Sequence, residues 1–198
     1  MAHIAKFQSG AIGHMCALYE NEAMEANGYN LGPQRSISQV KFIGERISGL
    51  ALKRHVRKDA VRLCDCIVTL PHSFDSNRER EFFKTAYTFL SRRYGIDNVV
   101  SAYVHRNSSR PHMHFAWIPV TEDGRLSAKS VATRLDLKTL HPDMQRFMES
   151  SLGCKVEVLL DSEKAGEKVL STLGLKDYMD AKAELERLDS EIAEKKRS

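Results

Sequence analysis

The stretch Tyr103-Val-His-Arg-Asn-Ser-Ser-Arg-Pro-His-Met-His-Phe-Ala-Trp117 constrains this chain more than any other. It holds His105, His112 and His114 between two strand-like runs, one ending at His105 and one carrying Phe115, Trp117 and Val120. Side chains alternate between the faces of a strand, so His112 and His114 share a face, about 7 Å apart along it. Pairing of the two strands brings the third imidazole beside them. Three imidazoles with open coordination positions suit a divalent metal in a catalytic role. The competing reading is three polar histidines satisfied one by one. A structural zinc site needs a fourth protein ligand, and only three gather here.

With 198 residues the chain can bury a real core, and 42% hydrophobic content is globular. No apolar run approaches the ~20 residues of a membrane span. The N-terminus lacks the apolar stretch of a signal peptide. Cys16, Cys64, Cys66 and Cys154 follow no disulfide or zinc-ribbon spacing, which predicts reduced thiols and a cytoplasmic setting. Residues 1–160 carry 22 Lys/Arg against 16 Asp/Glu, whereas residues 161–198 carry 8 against 10. The basic excess therefore accompanies the histidines and favours a polyanionic partner.

Periodicity supplies the element order. Residues 4–7 read as a short strand, after which Gly10 and Gly13 break the pattern. A helix is predicted over 14–26, ended by Asn27-Gly28. Residues 30–35 form a loop, and 36–52 a helix with Ile37, Val40, Ile43 and Ile47 in register. Residues 61–70 form a buried strand. A helix over 76–94 opens with a Ser76/Glu79 capping box. The two histidine strands follow, then a turn at 122–125, a helix over 135–152 stopped by Gly153, and a last strand over 155–160.

This order predicts an α/β domain over residues 1–160, built on a central, mostly antiparallel sheet. Its flanking helices lie largely on one face, and the histidines occupy the opposite, open one. Residues 161–198 form a C-terminal helical tail. There Tyr178, Ala181, Leu185, Leu188 and Ile192 repeat at 3, 4, 3, 4, a heptad seam. The tail is either the start of a coiled coil, with a homodimer as its outcome, or an amphipathic helix lying on the domain.

Three motifs together resemble the MobV relaxases, the Mob/Pre plasmid mobilisation proteins, over about residues 2–160. They are Arg57-Lys-Asp-Ala-Val61, the spacing His105-x6-His112-x-His114 with Pro111 before the pair, and Gly124-Arg-Leu-Ser-Ala-Lys129. The resemblance implies the HUH-endonuclease-like relaxase fold, named for histidine–hydrophobe–histidine metal sites. It also implies nicking and rejoining of one strand at a plasmid transfer origin, single-stranded or hairpin DNA as partner, and a covalent 5′ intermediate. His105, His112 and His114 are then the metal ligands. Neutral imidazoles place Mn²⁺ first and Mg²⁺ second.

The chain departs from the family pattern twice. Ser108 stands where an acid is usual. In the N-terminal helix, where the family carries a nucleophilic His, the matching position is Tyr19, with His14 as the other candidate. Arg57 and Lys58 are candidates for stabilising a phenolate or contacting phosphate. Arg106 and Arg110 flank the metal motif and are candidate phosphate contacts. Arg35 is a further candidate DNA contact, and Ser127 and Lys129 are so on the resemblance alone. Two other functions remain compatible: a rolling-circle initiator or single-strand transposase with the same metal motif, and a DNA-binding module without catalysis.

Overall fold

The computed structural model describes residues 2–25, 27–52, 55–106 and 110–157. The Ser108 position and the heptad tail lie outside the described residues. The elements are β1 (Ala2–Gln8), α1 (Ser9–Glu25), β2 (Tyr29–Asn30), α2 (Gln39–Ser48) and β3 (Val61–Thr69), then α3 (Glu79–Tyr94), β4 (Val99–His105), β5 (His112–Trp117), α4 (Ala128–Val131) and α5 (Arg134–Leu152).

The strands form one sheet in the order β1-β3-β5-β4-β2, and every neighbouring pair is antiparallel. Strand alternation sorts its two faces. Cys64, Cys66 and Val68 of β3, with Met113, Phe115 and Trp117 of β5, point to one side. They meet Phe82, Phe83, Ala86 and Leu90 of α3 and Leu140, Met144 and Met148 of α5. Burying each large apolar side chain is worth about 1.5–3 kcal/mol, so this layer is the main stabilising core. Tyr94 stacks on Trp117 at 4.2 Å between ring centroids. Arg93 ties α3 to α5 through Asp136 (2.7 Å) and Asp143 (3.0 Å).

The other face is where expectation and structure part. It is covered by α1, whose Ile12, Met15, Cys16, Tyr19 and Ala23 recur at three- and four-residue spacing and are buried. Helices thus flank the sheet on both faces, and the histidine face is roofed rather than open. The apolar stripe on α1 must be buried somewhere, and the α3/α5 side is already filled.

Smaller differences have local causes. The α1 helix begins at Ser9, directly after β1, and runs through Gly10 and Gly13, which are exposed and where an added Cβ would meet nothing. Helical glycine costs only about 1 kcal/mol, less than the packing of the stripe returns. Tyr29–Asn30 adds a short edge strand beside β4 within what reads as loop. Gly28 lets the chain reach it: a Cβ there would strike the carbonyl oxygens of Val104 and Ala23. Asp75, rather than Ser76, caps the turn before α3, accepting from the Asn77 N–H at 2.9 Å. Glu79 is drawn away to Arg106 and Tyr29. Residues 155–157 are not a strand, and Val156 instead donates its N–H to Glu149 (3.2 Å).

Candidate metal centre

Register places the histidines. In the β4–β5 pair His105 lies opposite His112, and Tyr103 opposite His114. Their candidate ligand atoms lie within 4.8 Å of one another. His105 and His114 are buried, and His112 is half-buried, so the cluster reaches solvent on the His112 side.

Hydrogen bonds fix the tautomers. His105 Nε2 donates to the Tyr19 carbonyl oxygen (2.9 Å), because a carbonyl can only accept. Its lone pair is therefore on Nδ1. His114 Nδ1 donates to Asp65 Oδ2 (2.6 Å), and His112 Nδ1 to the Arg110 carbonyl (3.3 Å), leaving both lone pairs on Nε2. Each imidazole is oriented by an oxygen acceptor, as metal-ligating histidines are. The donor set is three imidazole nitrogens, which suits a divalent transition ion.

Asp65 was not singled out in the sequence. It sits in mid-β3, 1% exposed, 49 residues before its partner His114. A lone acid inside Leu63-Cys-Asp-Cys-Ile67 was the available signal, since buried carboxylates are seldom without a partner. Tyr19 belongs to the same cluster. Its ring lies 5.0 Å from that of His114, and it is fully buried, with no hydrogen-bond partner for its hydroxyl among the described residues. Burial first, and the Asp65 charge second, push its phenol well above the ordinary tyrosine range.

The other candidates are placed differently. His14 is half-buried and lies about 140° around α1 from Tyr19. Arg57 and Lys58 are exposed, with Arg57 paired locally to Asp59 (3.5 Å). They precede Val61, whereas His112 lies opposite Thr69 at the far end of β3, roughly 26 Å on. The structure does not bring them to the histidines.

Arg35 is spent internally. It donates to the Val100 and Val99 carbonyls at 2.9 and 2.7 Å and stacks on Phe42. Arg106 leaves the histidine strand but bonds Glu79 and the Asn27 carbonyl. Arg110 stays beside His112. Ser127 caps α4, with its N–H on Pro119, beyond the end of β5 remote from His112; Lys129 is exposed in the same helix.

An antiparallel α/β domain whose two central strands converge three oriented imidazoles on one point is a metal-centred domain of the HUH type. The plasmid recombination enzyme (Mob_Pre) profile matches residues 19–156, and the chain belongs to that family. A plasmid recombination enzyme of Bacillus thuringiensis is 34% identical over 166 residues, 82% of this chain and 36% of that protein. One of Streptococcus agalactiae is 33% identical, over 81% of this chain and 32% of its own length. The chain thus spans about a third of these relatives. Among solved structures, the Mn-bound MobM relaxase domain on 22-nucleotide plasmid pMV158 oriT DNA superposes with TM-score 0.74 at 29% identity. That match covers 86% of this chain and 96% of the domain. The same domain on 26-nucleotide oriT DNA gives TM-score 0.71 at 30% identity. No helix among the described residues is long and apolar enough to cross a membrane.

Proposed function

We propose that this chain is a relaxase domain that nicks and rejoins one strand of plasmid DNA at a transfer origin, serving conjugative mobilisation. The observation that carries the reading is the convergence of three tautomer-fixed imidazoles on a sheet that superposes on an oriT-bound relaxase domain. His105 through Nδ1, and His112 and His114 through Nε2, would hold the ion, with Mn²⁺ the first choice. When bound, the ion polarises the scissile phosphate and offsets its negative charge.

The chain's own residues supply the rest. Asp65 holds His114 in its metal-facing tautomer and offers a carboxylate to the Tyr19 proton. Tyr19 Oη then attacks phosphorus, a phosphotyrosyl O–P bond forms, and the P–O3′ bond breaks, the departing 3′ oxygen taking up the proton that Tyr19 gave to Asp65. In the structure the phenol is sealed beneath α1, so this step requires the Tyr19 side chain to be uncovered when DNA binds. His14 is the second reading, favoured by one observation: it is half-exposed where Tyr19 is buried.

Arg110 is the leading phosphate contact. Arg57, Lys58 and Lys129 add charge further off, and Arg106 and Ser127 take part only by leaving present partners. The free cysteines accord with a cytoplasmic protein. Self-association through the heptad seam is part of the same proposal, read by sedimentation of the chain with and without residues 161–198.

The test is a supercoiled plasmid carrying the cognate origin. Relaxation with Mn²⁺, abolished by chelator, is expected. Tight, metal-independent DNA binding without relaxation would leave a non-catalytic binding module instead.

A further inference from the structure

A hydroxyl stands in the same cross-strand row as two of the histidines. Thr69 is the last residue of β3 and lies opposite His112, which on its other side lies opposite His105. Alternation along β3 puts Thr69 on the side of Asp65, the partner of His114, and away from Cys64, Cys66 and Val68 in the α3/α5 core. Opposed side chains on one face of an antiparallel pair have Cβ atoms about 4.5–5.5 Å apart. Leu70, the next residue, donates its N–H to the Pro111 carbonyl at 2.9 Å, which holds the end of β3 against the residue before His112.

Exposure and chemistry single Thr69 out. His105 and His114 are buried, whereas Thr69 and His112 are both half-buried. Thr69 therefore stands on the side where the cluster reaches solvent, the side from which a DNA phosphate arrives. Each imidazole gives an N–H to an oxygen of the protein and turns a lone pair inward, so these three N–H groups are not left for an arriving oxygen. Thr69 supplies a donor at that place. Its β-branched side chain is stiff at χ1, so the strand itself positions the hydroxyl.

We propose that Thr69 is a further catalytic residue, whose hydroxyl donates a hydrogen bond to a non-bridging oxygen of the scissile phosphate. The inference rests on the relaxase reading and deepens it. In phosphoryl transfer negative charge spreads over the equatorial oxygens of the transition state. A donor already in place binds that charge more strongly than the ground-state phosphate, and only such a difference speeds the chemistry. The proton stays on Thr69 Oγ throughout, so Thr69 acts as neither acid nor base. Valine has the same branched shape and no donor.

The experiment compares the full 198-residue chain with Thr69→Val and Thr69→Ser in single-turnover cleavage, with Mn²⁺, of a fluorescein-labelled single-stranded oligonucleotide spanning the plasmid's own origin. Loss of one such donor should slow Thr69→Val roughly 10- to 100-fold, while Thr69→Ser keeps most of the rate. Three readouts separate this from a structural role. Mn²⁺ affinity by calorimetry without DNA, and the melting temperature, should match wild type in Thr69→Val. Sulfur is a poor acceptor, so a phosphorothioate at the scissile position should slow wild type, and for one diastereomer that penalty should shrink in Thr69→Val. Cleavage by Thr69→Val at the wild-type rate, a loss of Mn²⁺ affinity in that variant, or unchanged penalties for both diastereomers overturns the role of Thr69 and leaves the relaxase reading standing. A wild-type chain that does not cleave overturns both.

Discussion

His114 Nδ1 donates a 2.6 Å hydrogen bond to Asp65 Oδ2, and both side chains are buried between β3 and β5 on the α1 side of the sheet. The bond sets which nitrogen of His114 faces the cluster. Asp65→Asn keeps the shape but removes the charge that makes the imidazole a strong ligand. Loss of such an outer partner costs about 10- to 100-fold in metal affinity. Calorimetry with Mn²⁺ should read a drop of that size. Affinity equal to wild type would remove Asp65 from the site.

The two neighbouring ligands should separate in stability. His112→Ala and His114→Ala both lose metal binding and nicking. His112 is half-buried, so its replacement leaves the melting temperature close to wild type. His114→Ala strands the Asp65 carboxylate in the interior, costing about 1–3 kcal/mol or more because the group is charged. Thermal melts of metal-free protein should therefore fall for His114→Ala alone. Equal melts for the two variants would mean that the Asp65 contact contributes nothing to the fold.

The nucleophile is read from the covalent adduct. A phosphotyrosyl bond survives mild acid, whereas a phosphohistidine does not. With a single-stranded oligonucleotide spanning the origin, wild type should retain a 5′-linked adduct stable to mild acid. Tyr19→Phe should fold, bind DNA and form none, and His14→Ala should still form it. An adduct that dissolves in acid, or one formed by Tyr19→Phe, moves the role to His14.

Alkaline conditions should weaken the fold in a definite window. Burial pushes the Cys16 and Cys64 thiols from 9.0 up to about 12, and the Tyr19 phenol is raised in the same direction. Below pH 9 both folded and unfolded chains hold these protons. Between pH 9 and 12 the unfolded chain releases thiol protons that the folded one retains, so unfolding is favoured increasingly as pH rises. The melting temperature should decline across that range. Cys16→Ala should flatten part of the decline; a wild-type profile flat to pH 11 would contradict the burial of these thiols.

Most of the elements and the histidine cluster were legible in the chain because they depend on local periods. Two-residue alternation put His112 and His114 on one face, and 3.6-residue spacing marked the stripes on α3 and α5. The motifs at 57–61, 105–114 and 124–129 were enough to indicate the family. What tertiary structure alone decided are relations between distant residues. Asp65 meets His114 because β3 pairs with β5, a register that no local pattern encodes. The α1 stripe at Ile12, Met15, Cys16, Tyr19 and Ala23 was visible as residues, but only packing showed that it roofs the histidines and seals the phenol. Arg35 and Arg106 read as candidate DNA contacts; their bonds to carbonyls of β4, to Glu79 and to the Asn27 backbone, each near them only in the fold, were not legible. A sequence specifies which groups a residue can bond. The fold chooses among them, since a buried donor or acceptor must take whichever partner the packing brings within reach.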